Sequence, residues 1–172
     1  IERRGSHSVG NATDESVVWN LLRRMGGALS HRGPDDTGYW VRGGVGLVQT
    51  RLSIIDLAGG HQPLVRADGD YALVANGEIY NHVEVRQDLI GSGCVFQTHS
   101  DSETILHTWA REAVQGLTGL NGMFAFALHD VRAGQLILCR DRLGIKPLYY
   151  AVWPDRIMFA SEIKALLSVW PE

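Results

Sequence analysis

Apolar residues near the start of the chain recur with the period of an α-helix. Residues 14–30 read DESVVWNLLRRMGGALS, and their apolar side chains fall on one stripe with two neighbours beside it: Val17, Leu21, Met25 and Leu29, then Val18 and Leu22. Thr13 or Asn11 is placed to cap the first turn. The pattern predicts an amphipathic helix that leads into a polar turn, HRGPDDTG, built around Gly33-Pro34.

Three further helices are predicted. The segment SDSETILHTWAREA predicts a helix whose capping box is Ser100 and Glu103, and whose buried stripe is Ile105, Leu106, Trp109 and Ala113. A shorter polar helix is predicted within EIYNHVEVRQDLIGSG, ending at Gly91. A last helix is predicted to begin near Ser161.

The remaining apolar runs predict strands. Two lie at 45–50 and 71–75, and four more follow Gly122: GMFAFALHD, QLILCRD, LYYAVW and RIMFAS. The run MFAFAL is apolar on both faces, which predicts a strand between two layers, with the bulky residues on one side and the alanines on the other. The strand at 71–75 is expected to break at Asn76-Gly77. Because no second alternating strand follows, this pair does not predict a hairpin. The whole predicts one α+β domain over residues 1–172, with layered, mostly antiparallel sheets.

Composition narrows the classes of function. The 172 residues are 45% apolar and 20% charged with a net charge of −3, so neither a nucleic-acid surface nor attraction to an anionic membrane is indicated. No apolar run approaches the roughly 20 residues of a membrane helix, and the first residues do not form a signal peptide. Two cysteines, Cys94 and Cys139, predict neither a disulfide framework nor a metal site, which favours a reducing cytoplasm.

Short polar clusters interrupt the apolar strands: HRGPDD, RLSIID, GGHQP, NGEIYN, SDSE and RDRLGIKP. Read singly, each is most simply a turn or a cap, with Arg51 ending a strand and Asp101 favouring a helix N-terminus. In this order, however, they resemble the glutaminase domain of class II (N-terminal-nucleophile) glutamine amidotransferases, in the branch of glutamine-hydrolysing asparagine synthetase. The resemblance extends from about Leu21 to Leu167 and includes GMFAFAL, RDRLGIKPLYY and FASEIKAL.

That resemblance implies a fold, a substrate and a site. The fold is a four-layer αββα sandwich of the Ntn-hydrolase type, and the substrate is L-glutamine. Asn76 and Gly77 match the family's oxyanion hole, which stabilises the charge of the tetrahedral intermediate. The matching substrate-binding residues are Arg51 for the α-carboxylate, Glu78 and Asp101 for the α-amino group, and the backbone of Leu52, Ser53, Ile54 and Ile55 along one wall. The turn from His31 to Asp35 lies near the nucleophile in the family.

The resemblance also implies a nucleophile that these residues do not contain. In the family a cysteine is the mature first residue, and its own α-amino group is the base. Here the first residue is Ile1, no cysteine precedes Cys94, and both cysteines are internal. Cys94 is predicted to enter a strand and Cys139 to lie in a buried one. Two explanations stay open: the strand that carries the nucleophile precedes this sequence, or the protein lacks it.

The resemblance also implies a synthetase domain outside these 172 residues. The signature SGGxDS of an ATP-pyrophosphatase is absent from the 172 residues, so a C-terminal synthetase domain with its ATP and Mg²⁺ is implied only outside them, and this domain needs no cofactor. Ammonia would pass to that domain to amidate aspartate, and homodimers are common in the family.

The alternative is a catalytically silent scaffold, as in β-lactam synthetase or lasso-peptide cyclase relatives. Retention of Arg51, Asn76, Glu78 and Asp101 argues against that alternative. A phosphate-binding module suggested by RDRLGIKP is a third interpretation, but the segment lacks a P-loop's glycines and Lys-Ser/Thr.

Overall fold

A computed structural model describes residues 14–52 and 61–170, which form four α-helices, a 3₁₀ turn and eight strands. The helices are α1 Glu15–Leu29, α2 His82–Gly91, α3 Glu103–Leu117 and α4 Ile163–Leu167, and the 3₁₀ turn Ser30–Arg32 follows α1. The strands are β1 Asp36–Arg42, β2 Val45–Arg51, β3 Leu64–Val65, β4 Tyr71–Ile79, β5 Gly122–Asp130, β6 Gln135–Arg140, β7 Tyr149–Val152 and β8 Ile157–Ala160.

The strands form three antiparallel sheets. The largest has the order β3-β4-β5-β6, and the other two are the pairs β1-β2 and β7-β8. Strands β4 and β5 pair along their whole length, from Tyr71 opposite Asp130 to Ile79 opposite Gly122. This long pair is the frame on which the candidate site is built.

Three apolar clusters hold four layers together. The first joins β4 and β5 to α3 through Leu73, Phe126 and Ile105, and the second joins α1, α4 and β8. The third lies between the sheets, where Leu47 of β2 meets Ala72 and Val74 of β4 and Ala127 of β5. Phe124, Phe126 and Leu128 therefore face the helices while Ala127 faces the other sheet. The prediction for the two faces of MFAFAL and the αββα layering are confirmed.

Helix α1 is confirmed, but its cap and its buried stripe differ from the prediction. The capping side chain is Asp14, which accepts a hydrogen bond from the Ser16 backbone N–H at 2.9 Å. Thr13 and Asn11 lie outside the described residues. Val17 is exposed, and the stripe is centred on Val18 and Leu22. The reason is that β2 approaches at Gly46, where even a Cβ atom would lie 2.6 Å from the Val18 side chain.

Helix α3 is also confirmed, although its predicted capping box is wrong. The Glu103 carboxylate accepts from the backbone N–H groups of Gln97 and Thr98, both at 2.7 Å, and from the Thr98 hydroxyl at 2.6 Å. It stabilises the preceding loop rather than the Ser100 N–H. Ala113 is exposed at a kink with φ of +50°, so the buried stripe ends at Trp109.

Several strand boundaries were also predicted wrongly. Strand β4 does not break at Asn76-Gly77 but continues to Ile79, because β5 pairs with it as far as Gly122. Strands β1 and β3 are not predicted from the sequence. The first residues of β1, DTG, have the composition of a polar turn, and Leu64–Val65 is too short to show a pattern. Cys94 lies in a loop, not in a strand. No helix among residues 14–52 and 61–170 is long and apolar enough to cross a membrane.

Candidate active site

The site residues Asn76, Gly77 and Glu78 are consecutive in the C-terminal half of β4. In the same strand, Ala72 and Val74 face the neighbouring sheet, whereas Ala75 and Ile79 face the helical layer of α3. Because side chains alternate along a strand, Asn76 and Glu78 face β1-β2. Asn76 is half-buried and Glu78 is exposed. Their side chains therefore line the end of the space between the two sheets.

Gly77 occupies a position that no other residue fits. Its φ is +140°, and a Cβ atom would lie 1.9 Å from the Met123 carbonyl oxygen and 2.7 Å from the Phe124 Cα. Strand β5 thus presses directly on the Gly77 backbone. Glycine is required at position 77 by this close approach inside a strand rather than by a turn.

The edge of β4 that faces away from β5 is closed on both sides of Gly77. At Ala75 the N–H donates to the Gln62 side-chain oxygen at 2.7 Å, and Gln62 Nε2 donates to the Ala75 carbonyl at 3.2 Å. The Ile79 N–H donates to Asp101 Oδ2 at 2.7 Å.

Between these two bonded positions, no residue in 14–52 or 61–170 bonds to the edge. Backbone groups alternate along a strand, so the Gly77 N–H points to the same edge as those of Ala75 and Ile79. Its cross-strand neighbour Phe124 bonds instead to Asp141, on the opposite side. Within the described part of the chain neither the Gly77 N–H nor the Asn76 side-chain amide has a hydrogen-bond partner. We call this position the open edge.

Strand β2 runs beside β4 and ends at Arg51. Leu47 packs with Ala72 and Val74, and Gln49 Nε2 donates to the Ala75 carbonyl at 3.4 Å, so β2 runs along β4 in the same direction. Because side chains alternate along a strand, the Arg51 side chain is on the same face of β2 as that of Gln49. The turn before β1 supports it, because a Cβ at Gly33 would lie 2.2 Å from the Arg51 backbone nitrogen.

Asp101 lies beside the end of β4. Its carboxylate accepts from the Ile79 N–H at 2.7 Å and from the Ser102 N–H at 2.8 Å, which fixes both oxygens beside the end of β4. An ionised carboxylate has acceptor sites for more than these two bonds. Leu52 follows β2 and is exposed, whereas Ser53, Ile54 and Ile55 lie outside the described residues. Asn76, Gly77, Glu78 and Asp101 thus lie together at the end of β4, and Arg51 is the last residue of β2, the strand that packs against β4.

Two further motifs, HRGPDD and RDRLGIKP, have structural roles around the site. His31 and Arg32 contact Glu162 Oε1 at 3.2 and 3.0 Å, and Lys164 contacts Glu162 Oε2 at 3.2 Å. Burial raises the pKa of Glu162, but the hydrogen bonds from Arg32, Lys164 and His31 outweigh it and the pKa is lowered. The HRGPDD turn is in this way attached to the start of α4.

Asp141, in RDRLGIKP, is a buried carboxylate with four backbone donors. It accepts from Leu143, Ile145, Lys146 and Phe124 at 3.1, 3.0, 3.1 and 3.3 Å. Burial raises the pKa of Asp141, but these bonds outweigh it and the pKa is lowered. The loop's N–H groups are occupied by the protein's own carboxylate, which argues against the phosphate-binding interpretation.

The two cysteines, Cys94 and Cys139, lie in environments that do not suit a nucleophile. Cys139 lies in a strand, as predicted, but it is half-buried; it packs against the cluster on the α3 side of the sheet, and burial raises the pKa of its thiol. It therefore lies on the opposite face from the Asn76 side chain. Cys94 is half-buried in the loop after α2, where its N–H donates to the Leu89 carbonyl at 3.0 Å.

The comparison that decides the family is with a protein-family profile described as "Glutamine amidotransferase domain", which matches residues 6–171. The chain belongs to this family. The amidotransferase domain is 40% identical over 154 residues to asparagine synthetase [glutamine-hydrolyzing] 2 of Bacillus subtilis (strain 168), covering 90% of this chain and 20% of that protein. It is 44% identical over 163 residues to a putative asparagine synthetase [glutamine-hydrolyzing] of Mycobacterium tuberculosis (strain ATCC 25618 / H37Rv), covering 87% and 24%.

The resemblance inferred from the motifs is confirmed by these relatives, of which the amidotransferase domain spans only 20% and 24%. Among solved structures, it matches glutamine phosphoribosylpyrophosphate amidotransferase from B. subtilis with a TM-score of 0.74 and 23% identity, over 87% of this chain and 40% of that one. At that identity the match concerns the fold, and it agrees with the predicted α+β sandwich.

Proposed function

We propose that this domain hydrolyses the side-chain amide of L-glutamine to glutamate and ammonia. The observation that carries the proposal is the open edge, where the Gly77 N–H and the side-chain amide of the preceding residue, Asn76, are without a partner in the described part of the chain. Attack on an amide carbon places negative charge on its oxygen, and preorganised donors at that point lower the barrier. The pair Asn76 and Gly77 supplies two such donors on a rigid strand.

The charged residues around the open edge suit the other end of the substrate. Free glutamine carries a carboxylate and an ammonium group, and a selective site needs partners for both. In this proposal Arg51 binds the α-carboxylate with two parallel hydrogen bonds. Glu78 and Asp101 bind the α-ammonium group, and the backbone of residues 52–55 forms a wall beside the carboxylate. The set of one cation and two anions favours a zwitterion over a simple amide.

The nucleophile in this proposal is the thiol of an N-terminal cysteine of the mature protein. The thiol attacks the amide carbon, its α-amino group takes the thiol proton and passes it to the departing ammonia, and water then hydrolyses the thioester to glutamate. Neither Cys94 nor Cys139 joins a thiol to a free α-amino group. N-terminal sequencing of the mature full-length protein tests this assignment, and a first residue other than cysteine contradicts it.

For the full-length protein we propose glutamine-dependent synthesis of asparagine. The support is the printed name of the relatives, asparagine synthetase [glutamine-hydrolyzing]. A C-terminal synthetase domain would use ATP and Mg²⁺ to activate aspartate, which the ammonia then attacks. A cytoplasmic location and a homodimer belong to the same proposal.

The test of the glutaminase proposal uses the full-length protein and measures glutamate release together with glutamine binding by calorimetry. Arg51→Ala should raise the KM for glutamine by about a hundredfold, because a charge-assisted bidentate contact contributes ~3 kcal/mol. Arg132→Ala is the matched control, since that exposed arginine lies on the turn after β5, away from the open edge.

Two results would contradict the proposal. One is wild-type protein that neither binds nor hydrolyses glutamine while its synthetase reaction still runs on ammonia, the behaviour of a silent scaffold. The other is an Arg51→Ala variant with the same glutamine affinity as Arg132→Ala.

A further inference from the structure

Gln62 has a place beside the open edge that its motif did not suggest. In the antiparallel register of β3 with β4, Leu64 pairs with Leu73 and Val65 with Ala72. If a regular strand continued this register, Gln62 would lie opposite Ala75 and the residue two positions before it opposite Gly77. A regular strand here would therefore cover the Gly77 N–H with the backbone of that residue.

The side chain of Gln62 replaces that backbone pairing. Its Oε1 accepts from the Ala75 N–H at 2.7 Å and its Nε2 donates to the Ala75 carbonyl at 3.2 Å, the same two bonds that a strand neighbour would make. One primary amide satisfies both groups because it carries one acceptor and one donor side by side.

The backbone of Gln62 is meanwhile turned toward the other sheet. A Cβ at Gly38 of β1 would lie 1.8 Å from the Gln62 carbonyl oxygen and 2.8 Å from its carbonyl carbon. Only a glycine at 38 permits this contact. The main chain thus leaves the edge of β4 at Ala75 while the side chain reaches back to it.

We propose that Gln62 is a positioning residue for the glutaminase reaction: it ends the β3–β4 ladder at Ala75 and holds the Asn76-Gly77 peptide in place with the Gly77 N–H uncovered. This proposal rests on the proposed function, because it assigns Gln62 to the oxyanion donors. The Asp101 carboxylate likewise accepts from the Ile79 N–H. The Gly77 N–H is therefore the one edge-facing N–H between the position bonded by Gln62 and the position bonded by Asp101.

The expected consequence is a split between kcat and KM. Oxyanion donors act mainly on the transition state, whereas Arg51, Glu78 and Asp101 bind the ends of the amino acid in the ground state as well. In full-length protein, Gln62→Met keeps the length of the side chain and removes both hydrogen bonds. The glutaminase kcat should fall about ten- to a hundredfold through misplacement of the donors, and the KM for glutamine should stay within about threefold.

Three variants separate positioning from a general structural effect. Gln49→Met removes only the long 3.4 Å bond to the Ala75 carbonyl and should lower kcat less than Gln62→Met does. Gln62→Asn keeps an amide that is one methylene too short, so its kcat should fall as that of Gln62→Met does, and it serves if the methionine variant does not fold. Val18→Ala removes buried volume in the outer helical layer, lowers stability and should leave kcat unchanged.

The outcomes are distinct. Wild-type protein that hydrolyses glutamine, with both Gln62 variants at wild-type kcat, overturns the role of Gln62 alone. A rise in KM with an unchanged kcat also overturns it, because Gln62 would then act on binding. Wild-type protein without glutaminase activity overturns the proposed function and this inference together. A selective loss of kcat in both Gln62 variants, absent from Val18→Ala, supports the proposal.

Discussion

The two halves of β4 lie in the same strand and pair with the same partner, yet they have opposite surroundings. From Tyr71 to Val74 the strand is buried on both faces and bonded to β3 on one edge and to β5 on the other. From Asn76 to Glu78 one edge has no backbone partner among the described residues, and the side chains of Asn76 and Glu78 are less buried. The first, buried half holds the layers together, and the second, open half presents donors that have no partner in the described part of the chain. A single strand thus combines a buried segment that is held on both edges with a neighbouring segment whose polar groups, within the described residues, are available to a ligand.

The largest effect is expected from Gly77→Ala, because this substitution should lower both the stability of the protein and its glutaminase activity. The added Cβ would lie 1.9 Å from the Met123 carbonyl oxygen on a backbone with φ of +140°. Strain and overpacking together should lower the free energy of unfolding by about 4 kcal/mol and abolish glutamine hydrolysis. Urea denaturation and a glutaminase assay measure the two effects. Gly91→Ala is the control, since nothing lies within 4 Å of that Cβ. Equal stability of the two variants would contradict the close approach of β5.

Leu73→Ala should affect the buried half alone. Leu73 is fully buried in the cluster between β4 and α3. Its truncation should cost about 3 kcal/mol of unfolding free energy by leaving a cavity. The kcat measured on the folded fraction at low temperature should stay close to that of the wild type. A parallel loss of kcat would show that the two halves of β4 are not separable.

Asn76→Ala should affect the open half alone. The loss of one oxyanion donor is expected to lower kcat by a factor of about 100 to 1,000, or ~3 kcal/mol. Stability should change by less than ~1 kcal/mol, because this amide has no bond to lose within the described part of the chain. Asn20→Ala, on the exposed face of α1, is the control for kinetics and for stability. An unchanged kcat would remove Asn76 from the oxyanion hole.

The smallest effect is a pH dependence in the buried half. His129 pairs with Ala72, contacts Trp40 edge to face at 5.3 Å, and is buried. Burial lowers the pKa of His129, Asp130 opposes that shift and Arg42 adds to it. The folded protein therefore holds fewer protons on this ring than the unfolded chain does. This contribution to stability is complete above the ordinary pKa of 6.5 and falls as the pH drops below it.

Urea denaturation at a series of pH values from 7 to 5 measures that dependence, and His129→Leu should make the decline shallower. His107, whose pKa burial also lowers, contributes a decline of the same sign that remains in the variant. Identical slopes for wild type and His129→Leu would contradict the assignment to His129.

The elements with strong local patterns could be predicted from the sequence. MFAFAL was predicted with the correct faces because alternation of large and small apolar residues depends only on the strand's own geometry. Helices α1 and α3 could be predicted because an apolar stripe with helical spacing is likewise a local pattern. The site residues could be proposed because their motifs match a family, and their roles stay a prediction.

What could not be predicted depends on partners that are distant in sequence. Asn76-Gly77 has the composition of a turn, and only pairing with β5 keeps it in a strand. Glu103 has the spacing of a capping box, but the Gln97 and Thr98 N–H groups compete successfully for its carboxylate. Gln62 appeared only as part of GGHQP, because a side chain that substitutes for a strand has no periodic signal.

Asp141 has a consequence for how the domain responds to a ligand. Four N–H groups converge on its buried carboxylate, and Arg140 donates to the carbonyl groups of Gly144 and Lys146 in the same loop. A segment organised around an internal anion has its shape before any small molecule arrives, and it also fixes the amide of Phe124, directly across from Gly77. The strand backbone that lies across from Gly77 is thus held in place by the protein's own carboxylate.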